Sequence, residues 1–269
     1  MSTLLNIIRS QWERREQIFN LALFDLKKQA RGAVLGWFWF FAKPMVYILV
    51  FWFALQIGLK TGSSSVHGAP YILWLMAGLI PWFYMQSMLG VGTHVFTRFS
   101  YLVNKIKFPI AGIPTIYAIS IFLVHCGLVL FLLVAYFACG QPLDVHLLQI
   151  PLGMVLMFVF FYLFSLTTSL LSAISKDFQN LMATLSTPLF WLSGIIFNVF
   201  DLGIGWLETI LMFNPITFIA TIYRCAIYDR TWIWEQPMAV VGFVVVFALT
   251  LVLMIVVYRR TAEEVPDVL

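Results

Sequence analysis

The chain has 269 residues, 62% of them hydrophobic and only 10% charged, with a formal net charge of +4 and a mean hydropathy of +0.94. Soluble domains carry about 25% charged residues, so this composition excludes them and makes lipid the natural solvent. It leaves little sequence for a soluble catalytic domain, and attraction to anionic lipid accounts for the basic balance without a nucleic-acid partner.

Residues 1–33 come first. Arg9, Arg14, Arg15, Lys27, Lys28 and Arg31 interrupt every apolar run there, which argues against a signal peptide. Ile8, Trp12, Phe19 and Leu23 recur at helical spacing, with Glu13, Arg14, Glu16 and Gln17 opposite. The spacing predicts a cytoplasmic amphipathic helix lying on the membrane surface.

A bilayer core takes roughly 20 apolar residues as a helix. Six stretches of that kind follow: Gly36 to Leu59, Tyr71 to Val95, Pro109 to Cys139, Ile150 to Ile174, Leu181 to Phe200 and Met238 to Tyr258. Between the last two, residues 201–230 hold two short apolar runs, Leu207 to Phe213 and Ile216 to Ile227, on either side of Asn214-Pro215. Each run is too short to span, and counting both as a seventh span would move Arg259 and Arg260 outside, against the positive-inside rule. A re-entrant helical hairpin from the outer face fits better, its turn buried in protein or facing water. The expected fold is therefore an all-α integral membrane protein. It has six transmembrane helices within 34–258, an N-terminal interfacial helix, an outer-side re-entrant hairpin and a cytoplasmic tail, 259–269.

Six spans place both ends of the chain on one side. That side would hold the six basic residues of the N-terminal segment plus Arg98, Lys105, Lys107, Lys176, Arg259 and Arg260, against Lys60, Arg224 and Arg230 on the other. The bias makes both termini cytoplasmic.

Chemical motifs are sparse. Gly58-Leu59-Lys60-Thr61 lacks the core of a phosphate loop, and Gly203 with Gly205 lacks the rest of a dinucleotide fingerprint. His67, His94, His125 and His146 show no metal-ligand spacing, and Cys126, Cys139 and Cys225 imply no disulfide framework. No catalytic or metal-ligating residue is expected. Spans two to six contain no Asp, Glu, Lys or Arg, the groups that ion-coupled carriers keep at mid-membrane. Energy for transport is therefore expected from another subunit.

Several segments carry a family likeness. Asp25, Lys27 and Arg31 precede Leu35-Gly36-Trp37-Phe38-Trp39 and Pro44, and Tyr71 to Trp82 reads YILWLMAGLIPW. Arg98 to Pro109 ends in Lys-x-Phe-Pro; Lys176-Asp177-Phe178, Trp191 to Phe197, Asn214-Pro215-Ile216-Thr217 and Tyr223-Arg224 follow in order. Together they resemble the ABC-2 type permeases that export lipid-linked polysaccharides such as O-antigen, capsule and wall teichoic acid. The likeness covers nearly the whole chain, with Lys176 standing where the family pattern has arginine.

The resemblance implies a homodimer in the bacterial cytoplasmic (inner) membrane with two separate ATPase subunits. ATP and Mg would bind those subunits, with no cofactor on this chain. The substrate it implies is a glycan on an undecaprenyl-type lipid. In the loop 97–108, Arg98, Phe99, Tyr101 and Lys105, together with Lys176 and Asp177, are expected to dock on the ATPase; a solvated basic loop is the competing reading. Arg31 and Lys43 are candidates for the lipid pyrophosphate, against ordinary snorkelling. Trp37, Trp39, Phe190, Trp191 and Phe197 are candidates for a glycan path, against an interfacial aromatic belt. Asn214, Pro215, Tyr223 and Arg224 form the outer hairpin, with Arg224 bonding a carbonyl of the hairpin or a departing phosphate. Ser165, Ser169 and Ala173 make a small-residue stripe for helix packing. The alternatives are a small-molecule ABC-2 exporter and, further off, a membrane-embedded transferase. For the latter, Asp201, Glu208, Asp229 and Glu235 supply no recognised motif.

Overall fold

The computed structural model describes residues 2–31, 34–60, 67–104 and 108–262, and the regular elements among them are helices. The chain opens with α1 (Ser2–Glu13) and α2 (Arg15–Ala30), separated where Arg14 leaves helical geometry. The expected apolar face is turned outward, with Ile8, Trp12 and Phe19 exposed, while Ile7, Ile18, Ala22, Asp25 and Leu26 are buried. Periodicity alone does not tell a face that meets lipid from one that meets protein, and here the segment has both.

The first span is a single 3-10 turn, Gly36–Phe38, then α3 (Trp39–Trp52) and a π-helical turn, Phe53–Gly58. Next come α4 (Tyr71–Leu89), the short helices α5 (Val95–Arg98) and α6 (Ser100–Asn104), and the long spans α7 (Gly112–Ala138) and α8 (Gln149–Ile174). After them stand α9 (Lys176–Trp191), α10 (Gly205–Met212), α11 (Pro215–Arg224) and α12 (Pro237–Thr261). Because α12 runs to Thr261, the expected tail begins within it; residues 263–269 lie outside the described part.

Helix α4 is the hub. It is apolar on all sides, the pattern of a helix buried all round, and Leu73, Leu75, Leu79, Ile80 and Met85 have no exposed surface. Of its span 78% is buried, against 6% for the first span, which touches the bundle through few side chains. One of them is Phe41, whose ring lies where a methyl on Gly127 of α7 would be. On α8, Ser165 donates to the Gly92 carbonyl at 2.6 Å, so part of the small-residue stripe seats the turn after α4.

Polar contacts define two ends of the bundle. At one, Gln11 donates to Tyr162 OH (2.6 Å) and accepts from Thr115 (2.9 Å), and Arg259 donates to Thr3 (2.8 Å). At the other, Arg230 donates to Gln141 (2.6 Å) and Gln149 donates to the Thr231 carbonyl (2.7 Å). The N-terminal helices and the last turn of α12 therefore share one end.

The fifth expected span, Leu181 to Phe200, requires correction. Its helix starts earlier, at Lys176, and stops at Trp191, and Gly194 beyond it takes a positive φ of 63°. A side chain there would also run into the Val199 side chain. The chain turns out of the helix at Ser193-Gly194, although Ile195, Ile196 and Phe197 keep the segment apolar. Among the described residues, five helices are long and apolar enough to cross a membrane, or six if the bent α10–α11 pair is counted as one span.

The α10–α11 pair, continued by a π-helical turn at Cys225–Asp229, bends by 92°. Asn214 makes the bend by accepting from the Ile216 amide at 3.0 Å, and Pro215 occupies the first helical position, where its missing N–H costs nothing. Every residue of α11 from Ile216 to Arg224 is buried. Gly242 of α12 lets the pair approach, since a methyl there would lie 2.6 Å from the Met212 carbonyl oxygen. Phe218 stacks on Phe243, with ring centroids 4.2 Å apart.

Candidate functional site

Among the described residues, three arrangements of polar groups inside the apolar bundle are candidates for function. The largest is a cleft of about 540 Å³ between α2, the first span, α4 and α7. Trp39, Phe40, Lys43 and Pro44 form one wall, and Tyr84, Tyr117, Ile121 and His125 the other. Pro44 withdraws one backbone donor from α3, and a proline inside a helix leaves the preceding turn's carbonyl unpaired. At the floor, His125 Nε2 and Tyr223 OH share a hydrogen bond of 2.8 Å, which joins α7 to α11. The Tyr84 hydroxyl is buried without a partner in the described structure.

Of the expected path residues, the cleft gathers Trp39 and Lys43 only. Trp37 is exposed and meets Phe40 edge-on at 5.7 Å. Arg31 sits at the end of α2 with its guanidinium over Phe24. Phe190 packs elsewhere, against Phe51 (5.5 Å) and Trp82 (5.2 Å), beside a smaller cavity of about 130 Å³. Trp191 lies edge-on to it and is exposed, while Phe197 is half-buried in the irregular segment after α9. The five aromatics thus do not line one path within a single chain.

The second arrangement is centred on Arg224, 6% exposed. Its guanidinium donates to the Gly194 and Ile195 carbonyls, each at 2.5 Å, and lies 3.5 Å from the Trp74 ring centroid. The hairpin-carbonyl expectation is corrected here, because the acceptors belong to the segment that leaves α9. Non-helical backbone among apolar side chains must find donors, and an unpaired buried carbonyl costs several kcal/mol. Arg224 supplies two donors in one rigid fork. Gly78 of α4 makes the room: a methyl there would be 2.7 Å from Arg224 Nη2 and 2.9 Å from the Ile195 oxygen.

Below this residue pair opens a cavity of about 200 Å³. Asn198 to Phe200, before the bent helix pair, and Asp229, Thr231 and Gln236, after it, line the same space. Both ends of the pair therefore meet at the end of the bundle away from α1.

The third arrangement lies at the α1 end. Asp25, 3% exposed, accepts from Arg98 (2.8 Å), Gln29 (2.7 Å) and Ser120 (3.0 Å). Arg98 also lies over the Tyr117 ring at 5.2 Å. These bonds tie α2, α5 and α7 together beside a cavity of about 310 Å³ that Lys28 and Tyr101 also line. Phe99 is buried, so the expectation that it faces a partner is corrected: the aromatic closes the turn between α5 and α6 from inside. Tyr101 remains exposed, as do Lys176 and Asp177 at the start of α9. Lys105 lies outside the described residues.

In the sequence Asp25, Trp74 and Gly78 stand only inside motifs, the latter two in YILWLMAGLIPW, with nothing that picks them out from their neighbours there. A helix apolar on all sides except for one glycine facing a distant arginine is legible only once the two are adjacent in space.

The chain matches the ABC-2 type transporter family over residues 16–228. It belongs to that family. The ABC-2 permease is also similar to the O-antigen export system permease protein RfbA of Myxococcus xanthus. The two are 22% identical over 250 residues, which cover 91% of this chain and 93% of that protein. An O-antigen export system permease protein RfbA of Klebsiella pneumoniae is 26% identical over 90 residues, 34% of this chain and 33% of that one. As a family member, the permease is the membrane subunit of a transporter, and such permeases normally work with an ATPase subunit. The matched segment begins inside α2 and ends within the π-helical turn after Arg224, so it includes the cleft, the Arg224 clamp and the Asp25 network, while Asp229, Thr231 and Gln236 of the 200 Å³ cavity lie beyond it.

Proposed function

We propose that this ABC-2 permease is the membrane-spanning half of an ATP-driven exporter of lipid-linked polysaccharide, of the O-antigen, capsule or teichoic acid type. The observation that carries the substrate class is the similarity to an O-antigen export permease across 93% of that protein's length. In this reading two copies of the chain pair with two ATPase subunits, which hold ATP and Mg, in a bacterial cytoplasmic membrane with both termini inside. The α1 end faces the cytoplasm, consistent with Arg9, Arg14, Arg15, Lys27, Lys28 and Arg98 there. The α10–α11 pair is then a re-entrant hairpin from the outer face.

Tyr101, Lys176 and Asp177 offer exposed groups for ATPase docking, with Lys105 in the same loop, while Arg98 and Phe99 brace that loop from behind. Lys43, at the rim of the lateral cleft, and Arg31, at the end of α2, are placed for the phosphates of the carrier lipid. Trp37, Trp39, Phe190, Trp191 and Phe197 offer aromatic surface to the glycan from two faces of the protomer.

The test is reconstitution with the cognate ATPase in vesicles, following ATP hydrolysis and translocation of the glycan lipid. Hydrolysis coupled to translocation is expected only with both chains, and Tyr101→Ala is expected to weaken the coupling. A permease that binds no ATPase and alone modifies a lipid substrate would sink the proposal in favour of a transferase.

A further inference from the structure

We propose that the outer cavity beneath Asn198 and Gln236 is a subsite for one sugar ring of the exported glycan, held through its hydroxyls. The inference rests on the exporter reading and adds to it a place and a chemistry.

The cavity's size is the first ground. At about 200 Å³ it holds six or seven waters at ~30 Å³ each, which is the scale of a single pyranose and too small for a lipid chain or a folded oligosaccharide.

The second ground is unmet hydrogen bonding. Thr217 and Arg224 both line the space and are 2% and 6% exposed, yet Thr217 Oγ1 and Arg224 Nε have no partner in the described structure. Buried polar atoms are nearly always paired, so these two point to a partner that comes from outside the chain.

Third, the charges select the ligand class. The Arg224 guanidinium already gives Nη1 and Nη2 to the Gly194 and Ile195 carbonyls, and the Asp229 carboxylate shares the lining. A phosphate entering here would meet a carboxylate of its own sign in a desolvated space. Of the remaining polar lining, Asn198 already donates to Asp201 and accepts from the Phe200 amide, and the Thr221 hydroxyl donates to the Thr217 carbonyl. This leaves the Gln236 amide, able both to donate and to accept, beside the unpaired Thr217 hydroxyl and Arg224 Nε, a set that suits neutral hydroxyls. Stacking plays no part, because one face of Trp74 is covered by Arg224 at 3.5 Å and its ring also stacks with Tyr71 at 5.4 Å. The residues come from the segment after α9, from α11 and from the approach to α12, so the subsite spans the parts that meet at the outer mouth.

Saturation-transfer NMR on the full-length permease in lipid nanodiscs tests this, with glucose, galactose, mannose and N-acetylglucosamine as probes and inorganic phosphate as competitor. At least one pyranose is expected to receive transfer at its ring protons. Thr217→Val and Gln236→Leu, each removing one bond, are expected to weaken that binding about tenfold. Gln236 is half-buried, so its variant keeps the fold even if the α11 variant does not, and a thermal unfolding scan checks both. No transfer to any pyranose, transfer unchanged in Gln236→Leu, or displacement by phosphate would overturn the inference. The readout needs no ATPase: ATP-driven export without sugar binding defeats the subsite alone, and sugar binding without ATPase coupling defeats the exporter reading.

Discussion

Replacing Gly78 by alanine isolates the Arg224 clamp without touching its charge. The added methyl would lie 2.7 Å from Nη2 and 2.9 Å from the Ile195 oxygen, and both are held: the first by its bond to the Ile195 carbonyl and by a guanidinium that Nη1 ties to Gly194 and that lies on a tryptophan face, the second by backbone. Overpacking alone costs about 1–3 kcal/mol. If the guanidinium also gives up one of its charge-assisted bonds, a further ~1.5 kcal/mol is lost, so Gly78→Ala is expected to destabilise by about 3 kcal/mol. The control is Gly205→Ala, where nothing lies within 4 Å of the new methyl and the change should be near zero. Denaturant titration of the purified permease, followed by tryptophan fluorescence, gives both values. A double-mutant cycle with Arg224→Lys adds a second check, since neighbours that share partners are not additive. Equal stability of Gly78→Ala and Gly205→Ala would refute the close approach of Arg224 to α4.

Three further outcomes follow from the other contacts. Asp25→Ala leaves Arg98 unpaired in a largely buried network and is expected to cost about 3 kcal/mol, at the low end because the arginine is 30% exposed; an unchanged unfolding midpoint would contradict it. Phe99→Ala should cost about 3–5 kcal/mol in stability, whereas Tyr101→Ala should leave unfolding unaltered and lower ATPase retention in a pull-down; the reverse pattern would restore Phe99 as the docking residue. At the opposite end, the His146 amide donates to Asp144, and this bond, with the His146 ring and Arg230, holds the carboxyl below its ordinary range. The sign is that of a depressed acid: its contribution is complete above about pH 4 and is lost as pH falls through the folded value. Acid titration of unfolding should therefore lose a component in Asp144→Asn, and identical acid profiles would exclude it.

The long spans were legible because their apolar runs end in polar or helix-breaking residues. Pro109 to Cys139 became Gly112–Ala138, and Ile150 to Ile174 became Gln149–Ile174. The bend at Asn214-Pro215 was equally open to reading, since a capping asparagine before proline is a local signal. Hydropathy failed between Trp191 and Phe200, because it measures affinity for lipid and not the direction of the chain; the marker was Gly194, with its positive φ. The loop after α4 misled for another reason. Aromatics among cations suggested a docking face, but the carboxylate that fixes Arg98 lies 73 residues earlier, beyond any spacing rule. The Arg224 clamp needed three segments at once, and only Arg224 itself could be singled out as an arginine in want of a partner.

The contrast between α4 and the first span bears on how such a chain diverges. A side chain that touches only lipid is free to change within the apolar set, whereas one enclosed by neighbouring elements on every side must keep its volume. In a lineage already down to 22% identity over 250 residues, drift should run fastest along the exposed face of α3 beyond Pro44 and slowest along α4 and α11. The second span and the bent α10–α11 pair are then the part of the sequence in which distant ancestry is recorded longest, and the half of the first span beyond Pro44 is where partners and membranes leave their mark.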